Sequence, residues 1–467
     1  MVSSRLDEDT ICAISTPAGV GGIAVARISG SEAVKICDKI WRGKSLESVE
    51  SHTAHLGKII DADSNVLDEA VATVFRAPRS FTGEDVVELS VHGSLYIQRE
   101  LIAALCDAGA RLADKGEFTR RAFAAGRFDL AQAEAVADMI AADSKASHRL
   151  AMSQMRGDFS TELQRLHDSL LELVSLLELE LDFSEEDVEF ASRPRLLELA
   201  EKVKDTVGRL ARSFRTGDAI KRGVSVAIVG ETNAGKSTLL NRLLRDDKAI
   251  VSDVHGTTRD IIEDTVDIDG VCFRFIDTAG LRETADIVES KGIERAISRM
   301  ESARIVMWVI DAGRLENIEN TAGEVFGHLS DEQSVIVVVN KIDCADSERV
   351  RMELASLGID ERVDAIIDAS VSQGMGIEEI ESKLIEISGA ADISASDVVV
   401  TNARHHRALV DAEASITRAI DGLHASLSGD FIAQDLRETL HHLSTITGTI
   451  TTDTILQNIF SKFCIGK

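Results

Sequence analysis

From Val224 onward, short β-branched runs alternate with helix-length segments. The runs are Val224–Val229, Val271–Ile276, Ile305–Ile310, Val335–Val339 and Ala365–Ile367. They are apolar with little in–out alternation, as strands buried on both faces are, and helical stretches separate most of them. That pattern predicts a parallel sheet covered by helices. The first 120 or so residues read instead as mixed α/β, with strands at Ile23–Ile28 and Val86–Val91 and a helix at Tyr96–Ala108. From about 129 the pattern is helical. Leu163, Leu166, Leu170, Leu173, Leu177 and Leu181 recur at three- and four-residue steps, an apolar stripe along one helix face. An acidic break follows at Asp182–Glu189, and Pro194 suits the first turn of a further helix reaching about Phe214. After about 390 the chain is helical to its end. The expected architecture is multidomain α/β: a mixed α/β domain over 1–120, an all-α domain in two pieces over 121–218 and 390–467, and an α/β domain inserted between them over 219–389.

Composition narrows the setting. A hydrophobic content of 44% is ample for packed cores, and no stretch is long and uncharged enough to span a bilayer. The first residues lack the apolar segment of a signal peptide. The six cysteines are scattered, without Cys-x-x-Cys spacing, which argues against a disulfide framework or zinc site and for a reducing, cytoplasmic compartment. Cys12, Cys37, Cys106, Cys272 and Cys344 read as structural. The net charge of −28 argues against a protein that coats nucleic acid, so any RNA contact must be local or be supplied partly by a basic partner. Two basic clusters, Arg111/Lys115/Arg120/Arg121/Arg127 and Arg404-His-His-Arg407, are either solvated helix faces or such contacts.

The chemistry is concentrated in the inserted domain. Gly230-Glu-Thr-Asn233-Ala234-Gly235-Lys236-Ser237, followed by Thr238, comes after an expected strand and opens an expected helix, the context of a phosphate-binding P-loop. Its glycines let backbone N–H groups turn toward phosphate oxygens. Lys236 reaches the β- and γ-phosphates, and the Ser237 hydroxyl ligates Mg²⁺. Partner motifs follow in order: Thr257-Thr258, Asp277-Thr278-Ala279-Gly280, Asn340-Lys341-Ile-Asp343 and Ser370-Val371-Ser372. Thr258 offers the metal a hydroxyl when γ-phosphate is present, Asp277 holds the metal's water shell, and the Gly280 N–H senses the γ-phosphate. The Asp343 carboxylate selects guanine by accepting from its N1–H and N2 amine. Adenine would leave that carboxylate unpaired, at a cost of roughly 1–3 kcal/mol or more. Ser370 and Val371 are expected to contact the guanine oxygen through their backbone. The motifs thus read as a Ras-like P-loop GTPase domain using GTP and Mg²⁺. The position after Gly280, where Ras-type enzymes carry a water-orienting Gln, is Leu281, so hydrolysis must recruit another polar group.

The chain as a whole resembles the MnmE (TrmE) family of tRNA modification GTPases. The likeness is carried by Pro-Ala-Gly-Val-Gly-Gly-Ile-Ala-Val-Ala-Arg27, Ser80-Phe-Thr-Gly-Glu-Asp-Val-Val-Glu88, Gly116-Glu-Phe-Thr-Arg-Arg, Arg127-Phe-Asp-Leu-Ala-Gln-Ala-Glu134 and the terminal Phe463-Cys464-Ile-Gly-Lys467. The resemblance implies an N-terminal domain that binds a tetrahydrofolate derivative (5-formyl- or methylene-tetrahydrofolate) and forms a homodimer. It implies a flavin-dependent partner, MnmG (GidA), in a heterotetramer, and tRNA as substrate. Carbon 5 of a wobble uridine would receive a carboxymethylaminomethyl or aminomethyl group. It further implies folate contacts at Arg27, Glu88, Arg127 and Lys467. A K⁺ site would involve Asn233 and the loop Ser252, Asp253, Val254, His255, Gly256 and Thr257, with ligands from Asn233, Ser252, Val254 and Thr257. K⁺-stimulated hydrolysis would draw the GTPase domains together. By the same likeness Glu289 is the catalytic group that replaces the missing Gln, Arg282 belongs to its switch segment as a further catalytic candidate, and Cys464 lies near the folate with a role in the one-carbon chemistry. Without the resemblance Glu289 is a surface helix charge and Cys464 a small core residue; the terminal Gly-Lys fits lipidation poorly. The competing reading is a regulatory GTPase of ribosome assembly without RNA-modifying chemistry, which predicts a KH-type module or second P-loop; the sequence contains neither.

Overall fold

A computed structural model of the full chain describes residues 9–61, 63–182, 193–245, 264–276, 300–301, 303–330, 332–345, 347–390, 397–461, 463 and 465–466. In chain order the first part runs β1 (Ile11–Ile14), β2 (Gly21–Ser29), α1 (Ala33–Ile40), β3 (Trp41–Arg42), β4 (Thr53–Ile60), β5 (Val66–Phe75), β6 (Val86–Gly93), α2 (Leu95–Asp107), β7 (Arg111–Leu112), α3 (Glu117–Ala124), α4 (Leu130–Ala141), α5 (Lys145–Arg156), α6 (Asp158–Asp182) and α7 (Arg193–Arg222). The second part runs β8 (Val224–Val229), α8 (Lys236–Arg245), β9 (Asp264–Ile268), β10 (Val271–Phe275), β11 (Ile305–Asp311), α9 (Ile318–Gly327), β12 (Ser334–Asn340), α10 (Ser347–Ser356), β13 (Ala365–Ala369) and α11 (Ile377–Ser388). Helices α12 (Ala403–His424), α13 (Gly429–Thr447) and α14 (Asp453–Phe460) complete it.

The chain divides into two compact units: Met1–Ile140 with Ser153–Asp205 and Ala408–Lys467, and Ala141–Met152 with Thr206–Arg407. The first contains a seven-stranded sheet in the order β3-β4-β5-β6-β2-β1-β7. Its pairs are antiparallel except β1 with β7. One face is packed by α1 and α2: Ala26, Ile28, Ala72, Val74 and Leu89 point into a core with Ile36, Cys37, Leu101 and Leu105. The alternate residues face outward, and Leu56 and Val71, directly paired across β4 and β5, remain exposed there. Helices α4 and α14 close a smaller core around Leu130, Ala133, Ile459, Phe460 and Phe463. The leucines read from the sequence as one stripe lie on α6, and Leu163, Leu166, Leu170, Leu173 and Leu177 are buried. The acidic break they lead into is outside the described residues from 183 on.

The second unit is built on a sheet in the order β13-β12-β11-β8-β10-β9, parallel except for the β9–β10 hairpin. Each expected strand is present. Their uninterrupted apolar character follows from burial on both faces, with Val226, Met307, Ile336 and Val338 in one core and Val306, Trp308, Val337 and Val339 in the other. Helix α7 extends two turns beyond the expected Phe214. Residues 141–152, read from the sequence as part of the helical domain, pack with this unit. Leu150 enters the first core beside Val266 and Ile268, and the Ala146 N–H donates to the carbonyl of Gly270, 2.9 Å away, in the β9–β10 turn.

Candidate functional site

In a doubly wound sheet the loops at the carboxyl ends of the strands form the ligand crevice. Here three of those ends carry the expected motifs, Gly230 after β8, Asn340 closing β12 and Ser370 after β13, and Asp311 closes β11. The β8–α8 loop requires its glycines. Gly230 sits at φ +139° with Val309 O where a Cβ would go, and Gly235 at φ +107° has the Asn340 amide there. Asn233 also takes a positive φ, +68°. Ala234 is buried, and Ser237 and Thr238 lie in the first turn of α8. The Lys236 ammonium donates to Gly230 O at 2.6 Å and Glu231 O at 2.7 Å, so it lies over the mouth of the loop.

The Asn340-Lys341-Ile-Asp343 segment is hydrogen-bonded to this loop. Asn340, 3% exposed, donates through Nδ2 to Ala234 O at 2.8 Å and accepts from the Val371 N–H at 3.1 Å. Lys341, at φ +64°, donates to Asn233 O (2.8 Å) and to Asp311 Oδ2 (2.7 Å). Burial pushes the Asp311 carboxyl up, but Lys341 and the Gly313 N–H outweigh it and hold the group below its usual range. The Asp343 carboxylate accepts from the Ser370 hydroxyl at 2.6 Å, the Cys344 thiol at 3.3 Å and Gln373 Nε2 at 3.4 Å. The Ser370 hydroxyl, then Cys344, lowers its pKa and keeps it an acceptor. The Ser370 N–H is used by Met375 O (3.2 Å) and that of Val371 by Asn340, so in this loop it is the serine side chain that acts on the Asp343 carboxylate. Ser372 lies in the short turn Val371–Gln373. Asp311, Gln373 and Cys344 were not singled out from the sequence for this site. Asp311 has a recognisable signal, an acid ending a buried strand at the ligand edge of the sheet. Cys344 and Cys106, read from the sequence as structural, are exposed, whereas Cys12, Cys37 and Cys272 are buried.

The loop Ser252 to Thr257, Thr258, Asp277 to Gly280, Leu281, Arg282, Glu289, Cys464 and Lys467 fall outside the described residues. Strands β9 and β10 lie in the sequence between Thr258 and Asp277.

In the first unit Arg27 and Glu88 are cross-strand partners on β2 and β6. Arg27 Nε and Nη2 reach Glu88 Oε1 at 2.9 and 2.8 Å, and the guanidinium lies 5.0 Å from the Phe81 ring centroid. Phe81 also lines a cleft of roughly 340 Å³ with His52, Phe75, Arg79, Ser80 and Arg127. Arg127 itself is exposed. The end of the chain comes back to this sheet. Ser15 Oγ donates to Gly466 O at 3.0 Å, Lys115 and Ile465 form a β-bridge, and Gly116 at φ +66° has Phe460 O and Phe463 where a side chain would stand. Two arginines of the N-terminal basic cluster are committed to ion pairs, whereas Lys115 and Arg127 are exposed. Arg121, 5% exposed, bonds Asp9, Glu84 and Glu117, and Arg111 bonds Asp9 and Glu117. These two arginines hold the fold and are not an open nucleic-acid surface.

A model of the GTP-binding protein TrmE N-terminus matches residues 10–127, and one of the MnmE helical domain matches 130–464. The chain belongs to the MnmE family. It is 51% identical over 464 residues to the tRNA modification GTPase MnmE of Parabacteroides distasonis, covering 98% of this chain and 100% of that protein. Identity to the tRNA modification GTPase MnmE of Bacteroides fragilis is 48% over 470 residues (99% and 100%), and to that of Cytophaga hutchinsonii 47% over 464 (98% and 98%). This chain is accordingly a multidomain α/β GTPase that takes part in tRNA modification, and the ribosome-assembly alternative falls away. Among the described residues no helix is long and apolar enough to cross a membrane.

Proposed function

We propose that this MnmE-family chain works with a flavin-dependent partner of the MnmG type to place a carboxymethylaminomethyl or aminomethyl group on carbon 5 of the wobble uridine of certain tRNAs, in the cytoplasm. The four segments 1–120, 121–218, 219–389 and 390–467 then act as folate-binding and dimerisation domain, helical domain, GTPase domain and returning helical domain. The observation that carries the reading is the return of Ile465 and Gly466 to Ser15 and Lys115, beside the sheet that holds Arg27 and Glu88. It brings the residues flanking Cys464 to the N-terminal domain within one chain.

The donor set suits a folate. A pterin presents N–H donors to a carboxylate such as Glu88, and the glutamate tail's carboxylates want guanidinium groups such as Arg27 and Arg127, with Lys467 as a further cation. The aromatic faces of Phe75 and Phe81 in the cleft suit a flat ring. A bound tetrahydrofolate derivative would supply the one-carbon unit. The chain's own residues orient it through that ion pair and cleft. At the GTPase site Ser237, with Thr258, would hold Mg²⁺. The side-chain oxygen of Asn233, with Ser252, Val254 and Thr257, would hold K⁺, whose charge does part of an arginine finger's work. Lys236 and the loop N–H groups bind phosphates, and Asp343 reads the base. Glu289, with Arg282 in the same segment, would orient the attacking water. The exposed pair Leu56 and Val71 gives the N-terminal sheet an apolar outer face that suits a homodimer.

The test is mass analysis of wobble nucleosides in tRNA from cells lacking the protein, complemented with wild type or Cys464→Ser. The expected result is loss of the modified uridine in the deletion, restoration by wild type and none by Cys464→Ser, with GTP hydrolysis by the purified variant intact. Unaltered nucleosides in the deletion strain would overturn the reading. Restoration by Cys464→Ser would make the thiol structural.

A further inference from the structure

We propose that an arginine stripe on the second half of α7, Arg209, Arg212 and Arg215, continued by Arg304 at the start of β11, docks the phosphodiester backbone of the RNA substrate. All four belong to the GTPase-bearing unit. Steps of three residues keep the three helical arginines within about 120° of arc on one side of α7, roughly 4.5 Å apart along its axis. All three are exposed. Arg304 is fixed beside them, its guanidinium donating to Arg215 O at 2.8 Å and Ser388 O at 3.4 Å.

Among the described residues Arg212, Arg215 and Arg304 have no carboxylate within ion-pair distance, in a chain with 79 acidic residues against 51 basic ones. The acid nearest in sequence to Arg215, Asp218, is taken by Arg222 at 2.8 Å. The cost of this crowding shows at Arg304, whose pKa is lowered by burial and then by the Arg215 charge. The contrast with Arg111 and Arg121 is direct: there each guanidinium is matched by Asp9 and Glu117 and none is left for a ligand. The other basic run noted in the sequence is also partly committed, since His406 stacks on Phe214, ring centroids 4.4 Å apart, and so joins α12 to α7.

Like charges at Arg212, Arg215 and Arg304, without an ion-pair partner among the described residues, suit a linear polyanion. Guanidinium groups bind phosphate with two parallel N–H donors and lose less on dehydration than ammonium groups. An acidic protein surface is the weaker fit, because protein interfaces interleave both signs with an apolar centre. A local patch is one of the two ways a chain of net charge −28 can hold an RNA, a basic partner being the other.

The experiment is fluorescence anisotropy of a labelled tRNA transcript titrated with the full-length chain over a series of KCl concentrations. The variants are Arg212→Glu/Arg215→Glu and the milder Arg212→Gln/Arg215→Gln. The charge reversal should weaken binding at least about tenfold. The Gln pair should reduce the slope of log affinity against log salt by about one to two, the loss of two phosphate contacts. GTP hydrolysis without RNA and the thermal unfolding of the Gln pair should match wild type. Unchanged affinity and slope, or a wild-type chain that does not bind tRNA, would overturn the proposal. So would variants that bind tRNA normally but lose a protein partner, which would assign the stripe to an acidic protein surface.

Discussion

Arg27 and Glu88 stand opposite each other in the register of β2 and β6 and share Glu88 Oε1 between two guanidinium nitrogens, at 2.8 and 2.9 Å. Both side chains are about a quarter exposed, so the pair is held in place yet open to a ligand. Glu88→Gln and Arg27→Ala should each weaken binding of 5-formyl-tetrahydrofolate by about ten- to a hundredfold, the worth of one charged hydrogen bond. GTP hydrolysis should be untouched, since the GTP site belongs to the other unit. Calorimetric titration with the folate and a phosphate-release assay on the same preparation check this. Wild-type folate affinity in both variants would remove the pair from the site.

The buried network around Glu117 should make the first unit acid-sensitive. Burial pushes the Glu117 carboxyl up, but Arg111, the Asp114 N–H and Arg121 outweigh it and hold it below its ordinary value of 4.5. A carboxyl depressed in the folded state stabilises fully above its unfolded value and ceases to do so as pH falls through the folded one. Glu117→Gln removes one partner of a fully buried pair, a change that costs roughly 3–5 kcal/mol. Urea unfolding should show that deficit at pH 7 and a shrinking one below about pH 4. A deficit independent of pH would mean that Glu117 acts by shape alone.

Asp343→Asn should turn preference from GTP toward xanthosine triphosphate, because the amide offers a donor where the carboxylate offered an acceptor. The Ser370 hydroxyl, with Cys344, depresses the Asp343 pKa, so guanine recognition should persist below the usual carboxylate range and fail only in stronger acid. A nucleotide competition assay repeated across pH 3–7 reads both effects. Unchanged GTP selectivity in the variant would end the assignment.

Hydrolysis should be fast in KCl and slow in NaCl at matched ionic strength, since Na⁺ is too small for the oxygen cage proposed around Asn233. Asn233→Ala should abolish the difference. Equal rates of the wild-type chain in the two salts would count against a K⁺ site.

Glu289→Ala should lower kcat by about 10²–10⁴-fold, the usual worth of a group that orients or deprotonates water. Nucleotide affinity should stay near wild type, because an interaction made only in the transition state does not enter ground-state binding. Normal turnover in the variant would return Glu289 to the surface of the protein.

The sequence by itself determined the inserted GTPase domain and the family. Strand burial on both faces leaves an unbroken apolar run, and phosphate and guanine chemistry demand particular residues within a few positions of one another, so both are written locally. The long α6 stripe was legible for the same reason. Strands β4 and β5 were not, because one face of that hairpin is open and Gly57, Lys58 and Glu69 interrupt the apolar pattern. Only the tertiary structure decided which charges meet. Arg27 finds Glu88 across 61 residues and Ser15 finds Gly466 across 451, separations that no periodicity encodes. It also decided the fate of two sets of arginines that look alike in sequence. Arg111 and Arg121 are neutralised by Asp9, Glu84 and Glu117, whereas Arg212, Arg215 and Arg304 have no acid beside them among the described residues. The physical reason is common to both. A charge's partner is set by where folding brings a second charge within a few ångströms, and that distance exists only once the chain has folded.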